Sequence, residues 1–211
     1  VVPDGLGGWF VGGAFTSVGG QSRRNLAHIL SDLSVGSWAP EPDQQVLALV
    51  VIGDAVIAGG DFISIGGQSR HRLAALDATT GLATAWDPNA NASVRALALT
   101  DSVVYVGGDF TSVGGKSRNR IAAVDPATGL ASPWNPGSNG SVFALETLAG
   151  VVYAGGFFSV VAGQSRIDLA AINAASAQAK SWNPHPDNQV FALAAGGGRL
   201  YVGGAFAQVG G

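Results

Sequence analysis

The sequence predicts an all-β fold built from repeated four-stranded antiparallel blades, and three observations lead to this prediction. A Gly-Gly-x-Phe motif occurs five times in the 211 residues, at intervals of 47, 48, 48 and 48. A tryptophan and a valine recur at the same 48-residue interval. Each repeat contains four short apolar segments separated by polar turns. Four short strands in roughly 40–50 residues is the period of a β-propeller blade. The motif starts at Gly12, Gly59, Gly107, Gly155 and Gly203.

One repeat illustrates how each strand is predicted. Residues 94–100 alternate small and apolar side chains, which is typical of a buried strand. Residues 103–110 form a second apolar segment, and residues 120–125 form a third after a polar loop. Residues 130–135 complete the unit as an outer strand. The order of these segments predicts an antiparallel blade that runs from an inner to an outer strand.

Glycine and proline residues refine this prediction. The paired glycines at the end of the second segment indicate close backbone approach or a bulge. In the turn at residues 125–129, Pro126 presets φ and Gly129 permits a positive φ. Pro133 lacks an N–H group, so the outer segment is expected to be an edge strand.

The repeat boundaries divide residues 1–211 into five parts. Residues 1–43 form an incomplete first blade, three full blades follow, and residues 188–211 form a partial one. A closed propeller usually contains four to eight whole blades. We therefore expect a partial ring, either a fragment of a larger propeller or a piece whose edges a partner covers. The full blades span residues 44–91, 92–139 and 140–187.

Composition excludes several classes of protein. Charged residues are 12% and hydrophobic residues 47% of the chain, the opposite of a disordered sequence. The net charge of −3 provides no basic field for nucleic acid. The longest apolar run, Val46 to Ile52, is far shorter than the ~18 residues of a membrane helix, so membrane insertion is not expected. The absence of cysteine excludes disulfides and thiol chemistry.

A longer motif supports a family resemblance. Residues 105–125 read Tyr-Val-Gly-Gly-Asp-Phe-Thr-Ser-Val-Gly-Gly-Lys-Ser-Arg-Asn-Arg-Ile-Ala-Ala-Val-Asp and are followed by Trp134-Asn135-Pro136. This pattern resembles the delta-60-type β-propeller repeats of secreted and cell-surface bacterial proteins, and the resemblance covers essentially the whole chain. It implies a propeller fold and an extracellular or cell-surface location. It implies no activity and no catalytic residues.

The polar loops provide the candidate binding residues. We predict that basic loops between the second and third strands share one face with Asp- and Asn-rich loops that lead to the next blade. One interpretation is that each arginine binds a carboxylate, an amide or a loop carbonyl of a neighbouring blade. The alternative is a ring that binds anions or sugars. The candidate binding residues are Arg23, Arg70, Arg118, Arg166, Asp87, Asn135 and Asn183.

A tryptophan precedes a turn in each of four repeats. Packing between blades is the first interpretation of these residues. A platform on which sugars stack is the alternative, because an exposed indole face can cover a pyranose ring. These blade markers are Trp38, Trp86, Trp134 and Trp182.

No cofactor is predicted, and calcium is the one alternative. Residues 87–91 match the first half of a calcium loop, with Asp87, Asn89 and Asn91 in the ligand positions. The glycine and distal glutamate of such a loop are missing, so turns stabilised by asparagine are the better explanation. The three histidines occupy non-equivalent positions without metal-ligand spacing.

These observations predict a non-enzymatic extracellular or cell-surface propeller, a scaffold for adhesion, surface assembly, or protein or glycan binding. Self-association is a further predicted interaction. The alternatives are a glycan-active hydrolase or lyase and a calcium-stiffened lectin. No catalytic residue is assigned, because uncharged residues stand at the predicted inner-strand entrances. These pairs are Gln44-Gln45, Ala92-Ser93, Gly140-Ser141 and Asn188-Gln189.

Overall fold

The computed structural model describes residues 1–100 and 102–210, and all regular elements in these ranges are β-strands. Asp101 and Gly211, the last residue of the predicted partial blade, lie outside the described residues. Within the described ranges no helix has the length and apolar character needed to cross a membrane. The chain divides into two compact units, Val1–Val94 and Arg95–Gly211.

The first unit contains two three-stranded antiparallel sheets and two short hairpins. Its strands are β1 (Val2–Pro3), β2 (Trp9–Gly12), β3 (Ser17–Val18), β4 (Gln21–Ser22), β5 (Leu26–Ile29), β6 (Val46–Ile52), β7 (Ala55–Gly60), β8 (Ser64–Ile65), β9 (Gln68–Ser69) and β10 (Leu73–Asp77). The sheets have the orders β1-β2-β5 and β6-β7-β10, and the hairpins are β3-β4 and β8-β9.

The second unit repeats this arrangement and starts one residue into β11. Its strands are β11 (Val94–Thr100), β12 (Val103–Gly108), β13 (Ser112–Val113), β14 (Lys116–Ser117), β15 (Ile121–Val124), β16 (Ser141–Leu148), β17 (Val151–Phe157), β18 (Val160–Val161), β19 (Gln164–Ser165), β20 (Leu169–Asn173), β21 (Val190–Gly196) and β22 (Arg199–Gly204). The sheets have the orders β11-β12-β15, β16-β17-β20 and β21-β22, and the hairpins are β13-β14 and β18-β19.

The all-β repeat prediction is confirmed, and the outer segment is shorter than predicted. The first predicted strand coincides with β11, and the second and third correspond to β12 and β15. The fourth segment pairs with the third strand at one bridge, Val124 with Ala131. Pro133 has no N–H group to extend this pairing. The same single bridge joins Ile29 to Val35, Leu76 to Ala83 and Ile172 to Ala179.

The polar loop between the second and third strands contains a hairpin that the sequence analysis missed. In the third repeat, β13 and β14 pair through Ser112–Ser117 and Val113–Lys116. Gly114 and Gly115 between them have φ of +58° and +73°. Positive φ at both central residues is typical of the tight turns that match the strand twist. The hairpin therefore fixes the direction in which the following arginine leaves the loop.

Repeats pack together through the first glycine of the Gly-Gly pair. A Cβ atom at Gly107 would lie 2.7 Å from Cγ1 of Val142, and one at Gly155 would lie 2.5 Å from Cγ1 of Val190. Each valine is the first or second residue of the inner strand of the next repeat and is fully buried. The close approach predicted from the paired glycines is therefore confirmed, and it lets consecutive sheets contact each other.

Each unit has its own apolar core. In the first unit, Phe10, Trp38 and Phe62 pack among valine, leucine and alanine side chains of successive sheets. In the second unit, Tyr105 and Trp134 pack with residues of β16, β17 and β20. These cores hold the sheets in place and leave the polar loops to form the candidate site.

Candidate functional site

The four predicted binding arginines make the same pair of contacts in their repeats. Nη1 of Arg118 donates to the Ser117 carbonyl at 2.8 Å, and Nη2 donates to the Ser132 carbonyl at 2.6 Å. The corresponding Nη2 contacts of the other arginines join Arg23 to Gly36, Arg70 to Thr84 and Arg166 to Lys180. Each arginine thus ties the hairpin loop to the outer segment of the same repeat.

This contact corrects the interpretation that each arginine reaches a neighbouring blade. The hairpin turns the chain back, so that the guanidinium group lies over the outer segment 14 residues later in the third repeat. The Nε atom of Arg118 is buried without a hydrogen-bond partner among the described residues. Two donors of each guanidinium group are therefore used to hold the loop in place.

The three other predicted binding residues have different surroundings. The carboxylate of Asp87 lies 3.9 Å from Nη1 of Arg70. Nδ2 of Asn183 lies 2.7 Å from Nε2 of His185, and its Oδ1 is buried with no partner among residues 1–100 and 102–210. Asn135 is exposed.

Three of the four tryptophans are buried. Trp38, Trp86 and Trp134 are 4%, 6% and 7% exposed, whereas Trp182 is 41% exposed. Nε1 of Trp38 donates to the Asp77 carbonyl, and Nε1 of Trp134 donates to the Asn173 carbonyl, both at 3.0 Å. Each of these acceptors belongs to the next repeat, so the contacts match the packing interpretation at these two positions.

Asp and Asn residues of the second polar loop stabilise the following hairpin. Oδ1 of Asp43 accepts hydrogen bonds from the backbone N–H groups of Ile63 and Ser64. Oδ1 of Asn139 accepts the equivalent bonds from Ser159 and Val160. These side chains therefore satisfy backbone N–H groups at the start of the following hairpin.

Acidic side chains lie beside two of the predicted inner-strand entrances, although the residue pairs predicted at the entrances are themselves uncharged. Asp61 accepts a 2.6 Å hydrogen bond from Nε2 of Gln45 and another from the Ser93 hydroxyl. Asp109 forms a 2.6 Å ion pair with Nε of Arg95. Both acids come from the third position of the Gly-Gly-x-Phe motif, which the sequence analysis did not treat as part of the entrance.

One loop position differs chemically from repeat to repeat. The position has a positive φ in all four repeats, from +55° to +64°. In the first three repeats its side-chain nitrogen donates to a loop carbonyl, through Asn25 to Pro42, Arg72 to Ala90 and Arg120 to Ser138. The fourth repeat has Asp168 at this position. A carboxylate cannot make that donation.

Asp168 lies instead at a cavity of about 410 Å³ in the second unit. Asp168 is 6% exposed as a residue, and one carboxylate oxygen accepts the Phe158 backbone N–H at 2.8 Å. No described residue donates a hydrogen bond to the other oxygen. Burial raises the pKa of this carboxyl group above its usual range, and the Phe158 N–H opposes that shift. The cavity is lined by Arg120, Asn139, Gly140, Ser141, Phe157, Phe158, Ser159, Ile167 and Asp168.

Three side chains at this cavity are specific to the fourth repeat. Phe157 stands where the second and third repeats have aspartate, and it is 60% exposed. Ile167 stands where the first three repeats have arginine, histidine and asparagine, and it is 39% exposed. Together with Asp168, these changes give one cavity an apolar rim and a buried carboxylate. Aligning the repeats position by position shows all three differences, but not that they meet at one cavity.

The first unit contains a larger cavity of about 750 Å³ among its loops. Its Asp43 carboxylate already accepts two backbone N–H groups, as described above, and Glu41 is exposed. This cavity therefore lacks the buried carboxylate with an unused oxygen that distinguishes the Asp168 cavity.

Within the described residues, no three histidine, aspartate or glutamate side chains are grouped so that they could hold a metal ion. In the loop that resembles half of a calcium site, Oδ1 of Asn89 lies 3.1 Å from Nδ1 of His71. Asn89 has a φ of +50°, a conformation that asparagine tolerates in turns.

Comparisons with known proteins support β-propeller repeats. The family described as "Domain of unknown function (DUF5122) beta-propeller" matches residues 7–35 and 100–122. A search of the curated proteins finds no match. The chain therefore carries repeats of a β-propeller type.

Solved structures show the same fold at low sequence identity. A chain of the mitotic checkpoint complex matches with a TM-score of 0.61 and 15% identity over 88% of this chain and 54% of that one. The Neurospora crassa Pan2 WD40 domain matches with a TM-score of 0.54 and 13% identity over 80% of this chain and 46% of that one. The computationally designed Ika4 protein matches with a TM-score of 0.52 and 17% identity over 76% of this chain and 85% of that one. WD40 repeats form β-propellers, which agrees with the fold described above.

This chain therefore spans about half the length of the first two of these structures.

Proposed function

We propose that this β-propeller is a non-enzymatic scaffold of the cell exterior that binds a protein or glycan partner at the Asp168 cavity. The single observation that carries the proposal is the buried Asp168 carboxylate, which lines the cavity with one oxygen unused by the described residues. This oxygen is not among the side-chain atoms of the described residues that are buried without a partner, so it is accessible from the cavity. A ligand hydroxyl or N–H group can therefore donate to it.

The contrast between this cavity and the repeated loop residues supports the proposal. The arginines of the hairpin loops and the Asp and Asn residues of the second polar loop bond mainly to backbone groups of the fold. Features shared by all repeats usually serve the stacking of repeats. The fourth repeat departs from the shared pattern at three positions around one cavity, and local departures of this kind are expected at functional sites.

An exterior location is supported by the resemblance of the repeat to those of secreted and cell-surface proteins. The chain also has no cysteine and no methionine, the two residues most readily oxidised. Fractionation of the source cells tests the location. Protein recovered at the surface or in the medium agrees with the proposal, and protein confined to the cytosol contradicts it.

The number of carboxyl groups at the cavity favours glycan binding over glycan hydrolysis. Glycoside hydrolases generally use a pair of carboxyl groups. The residues that line this cavity contribute one, Asp168. We therefore expect a bound glycan to remain intact. Release of new reducing ends during incubation would indicate the enzymatic alternative instead.

The proposal is tested by binding the labelled protein to panels of surface polysaccharides and purified surface proteins from its source. We expect at least one partner to bind and Asp168→Asn to weaken that binding about tenfold or more. Asp54→Asn is the matched control, because Asp54 is exposed and lies in the first unit. Equal binding by wild type and Asp168→Asn, or no binding to either panel, would overturn the proposal.

A further inference from the structure

The inference that follows rests on the proposed function and concerns the chemical class of the ligand. We propose that the Asp168 cavity binds one neutral sugar residue of a glycan, with its hydroxyl groups on the polar wall and a C–H face on Phe157. At about 410 Å³, the cavity is within the roughly 300–1,000 Å³ range of small-molecule sites.

The unused oxygen of Asp168 determines the first contact. This oxygen is an acceptor in a residue that is only 6% exposed, and it is not among the atoms buried without a partner, so the cavity gives access to it. Sugar hydroxyl groups are donors, and hydrogen bonds to a carboxylate are roughly twice as strong as those between neutral groups. The other carboxylate oxygen already accepts a hydrogen bond from the Phe158 N–H. This bond orients the carboxylate before a ligand arrives.

The cavity is lined by one positively and one negatively charged residue, and this balance favours a neutral ligand. Arg120 and Asp168 are the two charged side chains that line the cavity, and they form no ion pair among those of the described residues. Arg120 donates one N–H to the Ser138 carbonyl. The site thus presents cationic donors and an anionic acceptor with a net formal charge of zero. A neutral polyhydroxylated ligand can donate to one and accept from the other.

Two serines add hydroxyl groups to this wall. The Ser159 hydroxyl accepts a 2.9 Å hydrogen bond from Nδ2 of Asn139, which leaves its own O–H free to donate to a ligand. Ser141 also lines the cavity, and its hydroxyl group forms no hydrogen bond with the described residues. Both hydroxyls match the alternating donors and acceptors of a sugar ring.

The apolar rim accounts for the other face of the ligand. Phe157 and Ile167 are exposed at the cavity, where the equivalent residues of the third repeat are Asp109 and Asn119. Exposed apolar side chains beside a polar pocket are typical of ligand sites. The C–H face of a pyranose is apolar enough to cover an aromatic ring, so Phe157 gives the sugar a stacking partner.

The test is calorimetric titration of the whole protein with methyl glycosides of glucose, mannose and galactose, and with N-acetylglucosamine. Glucuronate and lysine amide serve as anionic and cationic probes. We expect at least one neutral sugar to bind. We expect Asp168→Asn to weaken that binding at least tenfold, because the acceptor oxygen is replaced by a donor. Phe157→Ala should weaken it severalfold.

A repeat-swapped variant separates a loss of sugar binding from a loss of folding. Phe157→Asp, Ile167→Asn and Asp168→Arg together give the fourth repeat the residues that the third repeat already has at these positions. A thermal unfolding curve like that of the wild type, with no sugar binding, is the expected result. Phe191→Ala, which removes another exposed aromatic side chain, is the control and should bind normally.

Three outcomes would overturn the inference: no neutral sugar binds, the repeat-swapped variant binds as well as the wild type, or only glucuronate or lysine amide binds. The failure of this inference can be separated from failure of the proposed function. If a surface protein binds in an Asp168-dependent manner while all neutral sugars fail, the scaffold function stands and its ligand class is wrong. If no partner of any kind binds, both are wrong.

Discussion

Asp168 combines burial with an incomplete set of hydrogen bonds, and both properties affect stability. Its carboxyl pKa is raised, chiefly by burial. A raised folded-state pKa means that the protonated form favours folding. This contribution is complete below the pKa of the unfolded chain and is lost as the pH rises through the folded-state pKa. Asp168 therefore makes the protein less stable at neutral pH than a neutral side chain of the same shape would.

Asp168→Asn should raise the free energy of unfolding at pH 7. An asparagine can still accept the Phe158 N–H, as Asn25 does for Phe15 in the first repeat. Its amide is also expected to donate to a loop carbonyl, as Asn25 does. Urea unfolding at pH 7 and pH 3 measures the difference, which should shrink at the lower pH. A variant that is less stable than the wild type at pH 7 would contradict this explanation.

Two aspartates in turns give stability the opposite pH dependence, and they do not affect this comparison. Backbone and side-chain hydrogen bonds from Thr80 lower the pKa of Asp77, and those from Thr128 lower the pKa of Asp125. The stability they contribute is present above the unfolded-state pKa and is lost as the pH falls through the lowered values. Because both proteins share these residues, the effect cancels in the difference between them.

Strands of consecutive sheets contact each other at the first glycine of the Gly-Gly pair. The loss of stability caused by one added methyl group should therefore depend on which of these glycines carries it. Gly155→Ala should destabilise the protein by about 1–3 kcal/mol, because the new Cβ would lie 2.5 Å from Cγ1 of Val190 in the next sheet. At Gly203, the equivalent residue of β22, a Cβ would come no closer than 3.7 Å, to Ala192. Gly203→Ala is therefore the matched control. Equal losses in chemical denaturation would show that glycine flexibility, rather than packing space, explains the motif.

The tryptophans provide a second test of packing between elements. Trp134→Ala should cost about 3–5 kcal/mol, because Trp134 is 7% exposed, packs edge-on against Tyr105 and donates to the Asn173 carbonyl. Trp182→Ala should cost clearly less, since Trp182 is 41% exposed. Thermal or urea unfolding measures both losses. If Trp134→Ala abolished ligand binding and left stability unchanged, the packing interpretation would be wrong.

The strands could be predicted from the sequence because the same residue pattern recurs in each repeat. Apolar segments with a two-residue period and turns marked by Pro126 and Gly129 predict where three strands lie. The short hairpins were missed because two-residue strands have no measurable period. The direction of Arg118 was missed for the same reason, since the preceding hairpin determines which carbonyl its guanidinium group reaches.

At the scale of the whole molecule, the residues that all repeats share maintain the fold, and the residues that differ in the fourth repeat indicate a site. The repeated motif predicts a propeller, and the similarity to solved structures agrees with that fold at identities of 13–17%. The Asp168 cavity could not be predicted in this way. Its residues come from two neighbouring repeats, and their convergence depends on how the loops pack. A single sequence shows that Asp168 differs from its equivalents but not that it lines a cavity.

The central claim is that the Asp168 cavity is the ligand site of this propeller. The most direct test is a ¹⁵N–¹H correlation spectrum of the labelled protein, recorded during titration with the neutral sugar that binds most tightly. The amide signals of Phe158, Ser159 and Asp168 should shift together and saturate with a single affinity, while those of the first unit stay unchanged. Shifts confined to residues outside this cavity, or no shifts at saturating sugar, would contradict the account.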